Sequence, residues 1–204
     1  MKCIYLNMYK NNVGMIGLGS WGKNIYRNLE TLNVLKKIYD SNTEHLNNIV
    51  TSKKKIANNA YEIILSKDID NIVIASPADT HKNYIIKSLL NNKNVFVEKP
   101  LCLSLKDAME IKKLSSEVNK IVFVGHLLHY HNGFNELKNI IKLGKIGNLQ
   151  IIKANRLNFG AVRQKESVLF DLASHDISMI LSITEAMPKK VEVNAIFNNS
   201  KKIA

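Results

Sequence analysis

A short apolar run, NVGMIG (residues 12–17), ends in the glycine loop GLGSWG (17–22) and passes at once into a helix-compatible stretch from Ser20 to about Thr31. This succession allows few folds. A β-run, then G-x-G-x-x-G, then a helix is the opening of a dinucleotide-binding βαβ unit. Gly17 allows the tight turn out of the strand, Gly19 lets the backbone approach a pyrophosphate, and Gly22 lets helix and strand pack closely. Leu18, Ser20 and Trp21 hold the variable positions, and the helix N-terminus offers its free N–H groups and the positive end of its dipole to the phosphates. An acid is expected about 20 residues further on. Asp40 ends the next apolar run, LKKIYD (35–40), where its carboxylate can accept both adenosine ribose hydroxyls and repel a 2′-phosphate. The cofactor expected is therefore NAD rather than NADP.

The remaining pattern continues the same alternation. NIVIAS (71–76) is β-branched and stops at Pro77, residues 80–90 have helical spacing, and NVFVE (94–98) is a strand stopped by Pro100. Ser104 caps a periodic stretch, SLKDAMEIKKLSSEV, and IVFVG (121–125) is one more strand. Strands alternating with helices imply an α/β fold with a mostly parallel sheet. After Gly125 the pattern changes to a helix over about Asn132–Leu143, a long alternating strand GNLQIIKANRLNF (147–159), a further helix, and a strand near Val191–Phe197. Two domains are expected: residues 1–125, a Rossmann dinucleotide-binding domain, and residues 126–204, a partial α+β substrate and oligomerisation domain.

Composition removes several other classes. Cys3 and Cys102 are far apart and form no CxxC pair, which fits a reducing, cytoplasmic setting. No apolar run approaches the roughly 18 residues of a membrane span. The formal charge is +12, but the lysines are scattered, with one dense run at Lys53–Lys55. No arginine-rich helix, aromatic RNA-binding strand or zinc spacing accompanies them, so the charge reads as solvated surface and no nucleic-acid partner is expected.

Polar residues stand in an otherwise apolar segment, VLFDLASHDISMIL (168–181). In a helix, Asp171 and His175 are one turn apart on one face, continued by Ser178 and Ser182. Taken alone, the segment also fits an amphipathic helix with one solvated face. GHLLHYH (125–131) places His126, His129 and His131 within six residues. No carboxylate recurs at ligand spacing and no HExxH is present, so no metal is expected. Tyr130 and His126 are expected to face a substrate cleft instead.

Together, GLGSWG, ASPADTH (75–81), VEKPL (97–101) and the Asp171–His175 helix resemble the Gfo/Idh/MocA family of nicotinamide-dependent sugar oxidoreductases. The resemblance runs in order along almost the whole chain, and EKP after a strand is its most specific local signature. NRLNFG (155–160) with ESVLFDLASHDISMIL (166–181) also resembles the branch that oxidises nucleotide-activated amino sugars, the UDP-N-acetylglucosamine 3-dehydrogenases. The resemblance implies that Lys99 sits by the nicotinamide ribose and the reacting hydroxyl, that His175 is the general base, and that Asp171 is its acidic neighbour. It places Ser76, Pro77, His81 and Glu98 beside the cofactor, and makes Tyr130, Arg156 and Arg163 the candidate substrate contacts. Where some members carry another acid three residues after the histidine, this chain has Ser178.

The chemistry suits these residue types. A histidine with an ordinary pKa of about 6.5 can take the proton of a secondary alcohol at neutral pH. An ammonium group can stabilise the developing alkoxide, and a carboxylate can orient the imidazole. Members of the family are considerably longer, so the resemblance implies a C-terminally truncated second domain whose last strand has an unpaired edge and favours self-association. The expected function is NAD-dependent hydride exchange with a sugar or nucleotide-sugar alcohol. The alternative is a truncated or split product that binds NAD without turnover.

Overall fold

A computed structural model describes residues 12–49, 52–156, 167 and 169–194. The chain divides into two compact units, one ending at Gly125 and the other beginning at His126.

The first unit is built on five parallel strands: β1 (Val13–Ile16), β2 (Leu35–Tyr39), β3 (Asn71–Ile74), β4 (Asn94–Glu98) and β5 (Val122–Gly125). Their spatial order is β2-β1-β3-β4-β5. β1 pairs with β2 on one side and with β3 on the other, aligning Ile16 with Tyr39 and with Ile74. The helices are α1 (Gly22–Thr31), α2 (Thr43–Ile49), α3 (Ala60–Ile64), α4 (Ala78–Leu90) and α5 (Leu105–Glu117). The sequence pattern places the five strands to within two residues and α5 as it is capped, since the Ser104 hydroxyl accepts the Asp107 N–H at 3.1 Å. It does not predict the short helices α2 and α3.

A parallel sheet covered on both faces needs apolar residues on both. Here the alternation of side chains sorts them into two clusters. Ile16, Ile72, Ile74, Val95 and Val97 pack with Ile63, Ile64, Ile85 and Ile111. Met15 and Val73 pack with Leu18, Tyr26, Ile38 and Leu46. Ile63 reaches so close to β1 that a Cβ at Gly14 would lie 2.1 Å from its Cγ2.

The second unit is helical among its described residues. A 3-10 turn at Leu127–Tyr130 precedes α6 (Asn132–Lys142), and a π-helical turn at Leu169–Ala173 runs into α7 (Ser174–Thr184). The sequence predicts strands at 147–159 and 191–197; residues 147–156 and 191–194 are in no strand, and 157–159 and 195–197 lie outside the described residues. A strand exists by hydrogen bonding to a neighbour. Without one, the alternating pattern has no face to bury: Ile151 is 73% exposed and Val193 72%. The unpaired edge predicted for self-association is therefore not formed among the described residues.

Candidate functional site

The order β2-β1-β3 puts the topological switch point between β1 and β3. There the connections leave the carboxyl ends of neighbouring strands in opposite directions and open a crevice. Two turns line it: the glycine loop after β1 and Ser76–Pro77 after β3. Gly17 has φ +100° and lies against the β3 turn; a Cβ there would be 2.5 Å from the Ala75 carbonyl and the Ser76 nitrogen. A Cβ on Gly22 would lie 2.7 Å from the Gly17 carbonyl oxygen. A Cβ on Gly19 would meet nothing within 4 Å. Two of the glycines are thus required by the protein's own packing, and the middle one faces open space. A cradle of this form fits the pyrophosphate of a dinucleotide.

Asp40 follows β2, and its side chain is 11% exposed. One carboxylate oxygen accepts the Leu18 N–H at 2.5 Å, and the other accepts the Asn42 N–H at 2.7 Å. His45 on α2 places Nδ1 3.4 Å from that second oxygen. Asp40 therefore also ties the glycine loop to the end of β2, a role the spacing argument does not reveal.

Across the sheet, β4 ends in Glu98, followed by Lys99 and a cis Pro100. The Trp21 indole N–H donates to Glu98 Oε1 at 2.9 Å, joining the glycine loop to this turn. Burial pushes the Glu98 carboxyl above its ordinary value, against the lowering pull of the Trp21 hydrogen bond and of Lys99. Gly125 on β5 makes room for it: a Cβ there would be 3.0 Å from Glu98 Oε1. In the other direction, His81 on α4 is 1% exposed. Its Nδ1 is 2.8 Å from the Pro100 carbonyl oxygen and its Nε2 2.8 Å from that of Ser76. The Ser76 hydroxyl lies 2.6 Å from that of Thr80, which donates to the Pro77 carbonyl at 2.7 Å. The first unit thus brings Gly17–Gly22, Asp40, Ser76, Pro77, His81, Glu98 and Lys99 into one connected set of turns.

The remaining candidates lie in the second unit. Asp171 stands in the π turn and His175 in α7, so the pair spans a change of helical register rather than one regular face. Such π insertions are often found at functional sites. Arg156, a candidate substrate contact, forms a two-pronged pair with Asp176, Nε to Oδ2 and Nη2 to Oδ1, both at 2.8 Å. The guanidinium holds the Asp176 carboxyl below its ordinary value. Because this fork is committed to a carboxylate of the same unit, Arg156 has its partner before any substrate arrives. Arg163 lies outside the described residues. Tyr130 is 66% exposed. His131 caps α6, its Nδ1 accepting the Gly133 N–H at 3.1 Å, and the His129 ring meets Phe134 edge-on at 5.6 Å. Among the described residues no group of three histidine, cysteine or acidic side chains could hold a metal ion, and no helix is long and apolar enough to cross a membrane.

The 2,7-anhydro-N-acetylneuraminate hydratase of Escherichia coli (strain K12) is 30% identical over 141 residues, 68% of this chain and 37% of its own length. The scyllo-inositol 2-dehydrogenase (NAD(+)) of Bacillus subtilis (strain 168) is 30% identical over 128 residues, 60% of this chain and 37% of its own. Among solved structures, one from Bacillus subtilis matches with a TM-score of 0.80 over 95% of this chain and 58% of that one; its 24% identity shows the fold alone. The chain spans about half the length, or less, of the curated relatives it matches. These relatives include inositol dehydrogenases and a hydratase, so the finer resemblance to UDP-N-acetylglucosamine 3-dehydrogenases finds no support in them. Residues 11–126, more than half of the chain, match the GFO_IDH_MocA oxidoreductase family, NAD-binding Rossmann fold, and the protein belongs to that family.

Proposed function

We propose that this chain binds NAD and serves hydride exchange with a secondary alcohol of a sugar or cyclic polyol. The observation that carries the proposal is the glycine loop at the switch point. Gly17 and Gly22 are packed against backbone, Gly19 faces open space, and Asp40 closes the loop from β2. The loop's backbone N–H groups and the N-terminus of α1 would hold the pyrophosphate. Asp40 retains acceptor capacity beyond its two backbone bonds for a ribose hydroxyl, and its charge disfavours a 2′-phosphate. Ser76 and Pro77 border the crevice, and Glu98 and Lys99 stand at the end of β4. When bound, NAD supplies the hydride acceptor.

The protein's own groups handle charge and proton. The Lys99 ammonium stabilises negative charge developing on the alcohol oxygen. His175 takes the hydroxyl proton, and Asp171 orients the imidazole and stabilises its cation. Several relatives act, by name, on inositols, which favours a polyhydroxylated ring as substrate. A second reading is NAD binding without turnover. It is favoured by the second unit, where Phe134 is the only apolar residue in the buried core among the described residues.

Titration with NADH and NADPH, followed by the fluorescence of Trp21, the chain's one tryptophan, tests the first step. NADPH binding as tightly as NADH overturns the cofactor assignment. Assays of NADH formation with myo-inositol, scyllo-inositol, simple hexoses and UDP-N-acetylglucosamine then test the second. NADH binding with no turnover on any polyol or sugar favours the second reading.

A further inference from the structure

His81 is the most deeply buried histidine of the first unit, 1% exposed. Its ring reaches backbone carbonyls in two different turns, that of Ser76 after β3 and that of Pro100 after β4, each at 2.8 Å. Carbonyl oxygens only accept, so whichever ring nitrogen carries hydrogen donates to its carbonyl, while the other rests against the second carbonyl at the same distance. Nothing in the packing of an apolar core asks for this; a leucine would fill similar space. What the imidazole adds is a fixed separation between two turns that the sheet itself holds only at their strand ends.

The geometry extends further on both sides. Ala75 and Ser76 are in contact with the glycine loop, as the 2.5 Å clearance for a Cβ on Gly17 shows. Pro100 follows Lys99 directly. A continuous chain of contacts therefore runs from the phosphate loop through the Ser76 turn and the His81 ring to the residue beside Lys99. On the far side, Trp21 and Glu98 make a second link between the same two loops. Two links at different places fix orientation as well as distance, which a single one cannot.

We infer that His81 is a positioning residue: its imidazole ties the Ser76 turn to the Pro100 turn, and so holds Lys99 in register with the phosphate loop. It acts through the two turns and touches no ligand. The part concerning Lys99 rests on the function proposed above; the tie between the turns does not.

The test compares wild type with His81→Leu, which keeps bulk but has no donor, and His81→Gln, which keeps an amide donor. Amide hydrogen exchange is measured on each protein without cofactor. In His81→Leu, exchange at Ser76 and Ala78 and at Lys99 and Leu101 is expected to rise together, by roughly tenfold or more. Met15 and Val73, in the strands, are expected to keep their protection. His81→Gln is expected to show a smaller rise, concentrated in one of the two segments. The inference is overturned if neither segment responds in either variant, or if the strands accelerate as much as the turns. Should His81→Leu not fold, the same criteria are applied to His81→Gln alone. In protein that turns over, the leucine variant is expected to lose kcat by tenfold or more while NADH affinity stays within a few-fold; a loss confined to NADH affinity overturns the link to Lys99. Failure of wild type to bind NADH would refute the proposed function and leave the exchange result to decide the tie.

Discussion

The three glycines of the loop are predicted to fail in two different ways. Gly17→Ala places a side chain at φ +100° and a Cβ 2.5 Å from three backbone atoms of Ala75 and Ser76. The unfavourable dihedral costs about 1–2 kcal/mol. The contact is with backbone, which cannot rotate away, and relieving it costs about 1–3 kcal/mol more. A loss of about 2–5 kcal/mol corresponds to a melting temperature lower by of order 10 °C or more for a unit of this size. Gly19→Ala meets nothing within 4 Å and has no left-handed dihedral to lose, so its stability should stay within about 0.5 kcal/mol of wild type. Its methyl group instead occupies the space into which the pyrophosphate must come. NADH affinity is expected to fall at least about tenfold, equivalent to 1.4 kcal/mol. Thermal melts and NADH titrations on the two variants separate the effects. If Gly19→Ala melted as low as Gly17→Ala, or bound NADH as wild type does, the division of the loop into a packed and a ligand-facing part would be wrong.

Asp40→Ala should narrow the preference for NADH over NADPH and also cost about 1–3 kcal/mol, because the buried Leu18 N–H loses its acceptor; melts without cofactor and titrations with each cofactor read the two separately. Glu98 has its carboxyl raised by burial, so its ionisation opposes folding as pH rises from the ordinary value of 4.5 through the raised one. Glu98→Gln, which keeps an acceptor for Trp21, should therefore melt above wild type at pH 8, with an advantage that shrinks towards pH 4.5; no dependence on pH would refute the burial argument. Asp176 has the opposite sign: Arg156 lowers its carboxyl, so the pair's stabilisation is present above the ordinary value of 3.8 and is lost as pH falls below it. A double-mutant cycle with Arg156→Ala and Asp176→Ala should give a coupling of about 0.5–1 kcal/mol that weakens in salt. Lys99→Ala and His175→Ala should each abolish alcohol oxidation while NADH affinity changes no more than a few-fold, checked by steady-state kinetics beside fluorescence titration.

Local signals made the first unit legible. Each of its strands is a short apolar run closed by glycine, proline or a polar residue, and a parallel sheet buried on both faces needs just such runs. The loop GLGSWG and Asp40 stand at the spacing of a dinucleotide-binding turn, between a strand and a helix. The capping Ser104 and the glycine ending β5 could likewise be read without any partner. The second unit is less legible because only alternation points to strands there. Alternation states which residues could face a neighbour, but residues 147–156 have none among the described residues and remain outside any strand. Side-chain partners were equally illegible. Trp21 and Glu98 are 77 residues apart, and His81 is 19 residues from the carbonyl it meets at Pro100. No propensity or motif links such pairs; the order of strands in the sheet does, by bringing the turns after β1, β3 and β4 side by side. The partner of Arg156 was no more legible, since its guanidinium pairs with Asp176, 20 residues away. The amino-acid sequence by itself determined the βαβ frame and the place of the phosphate loop, because both follow from the periodicity and conformational range of neighbouring residues. Only the tertiary structure decided which polar groups tie the turns to one another, because that depends on contacts between segments that are distant in the chain.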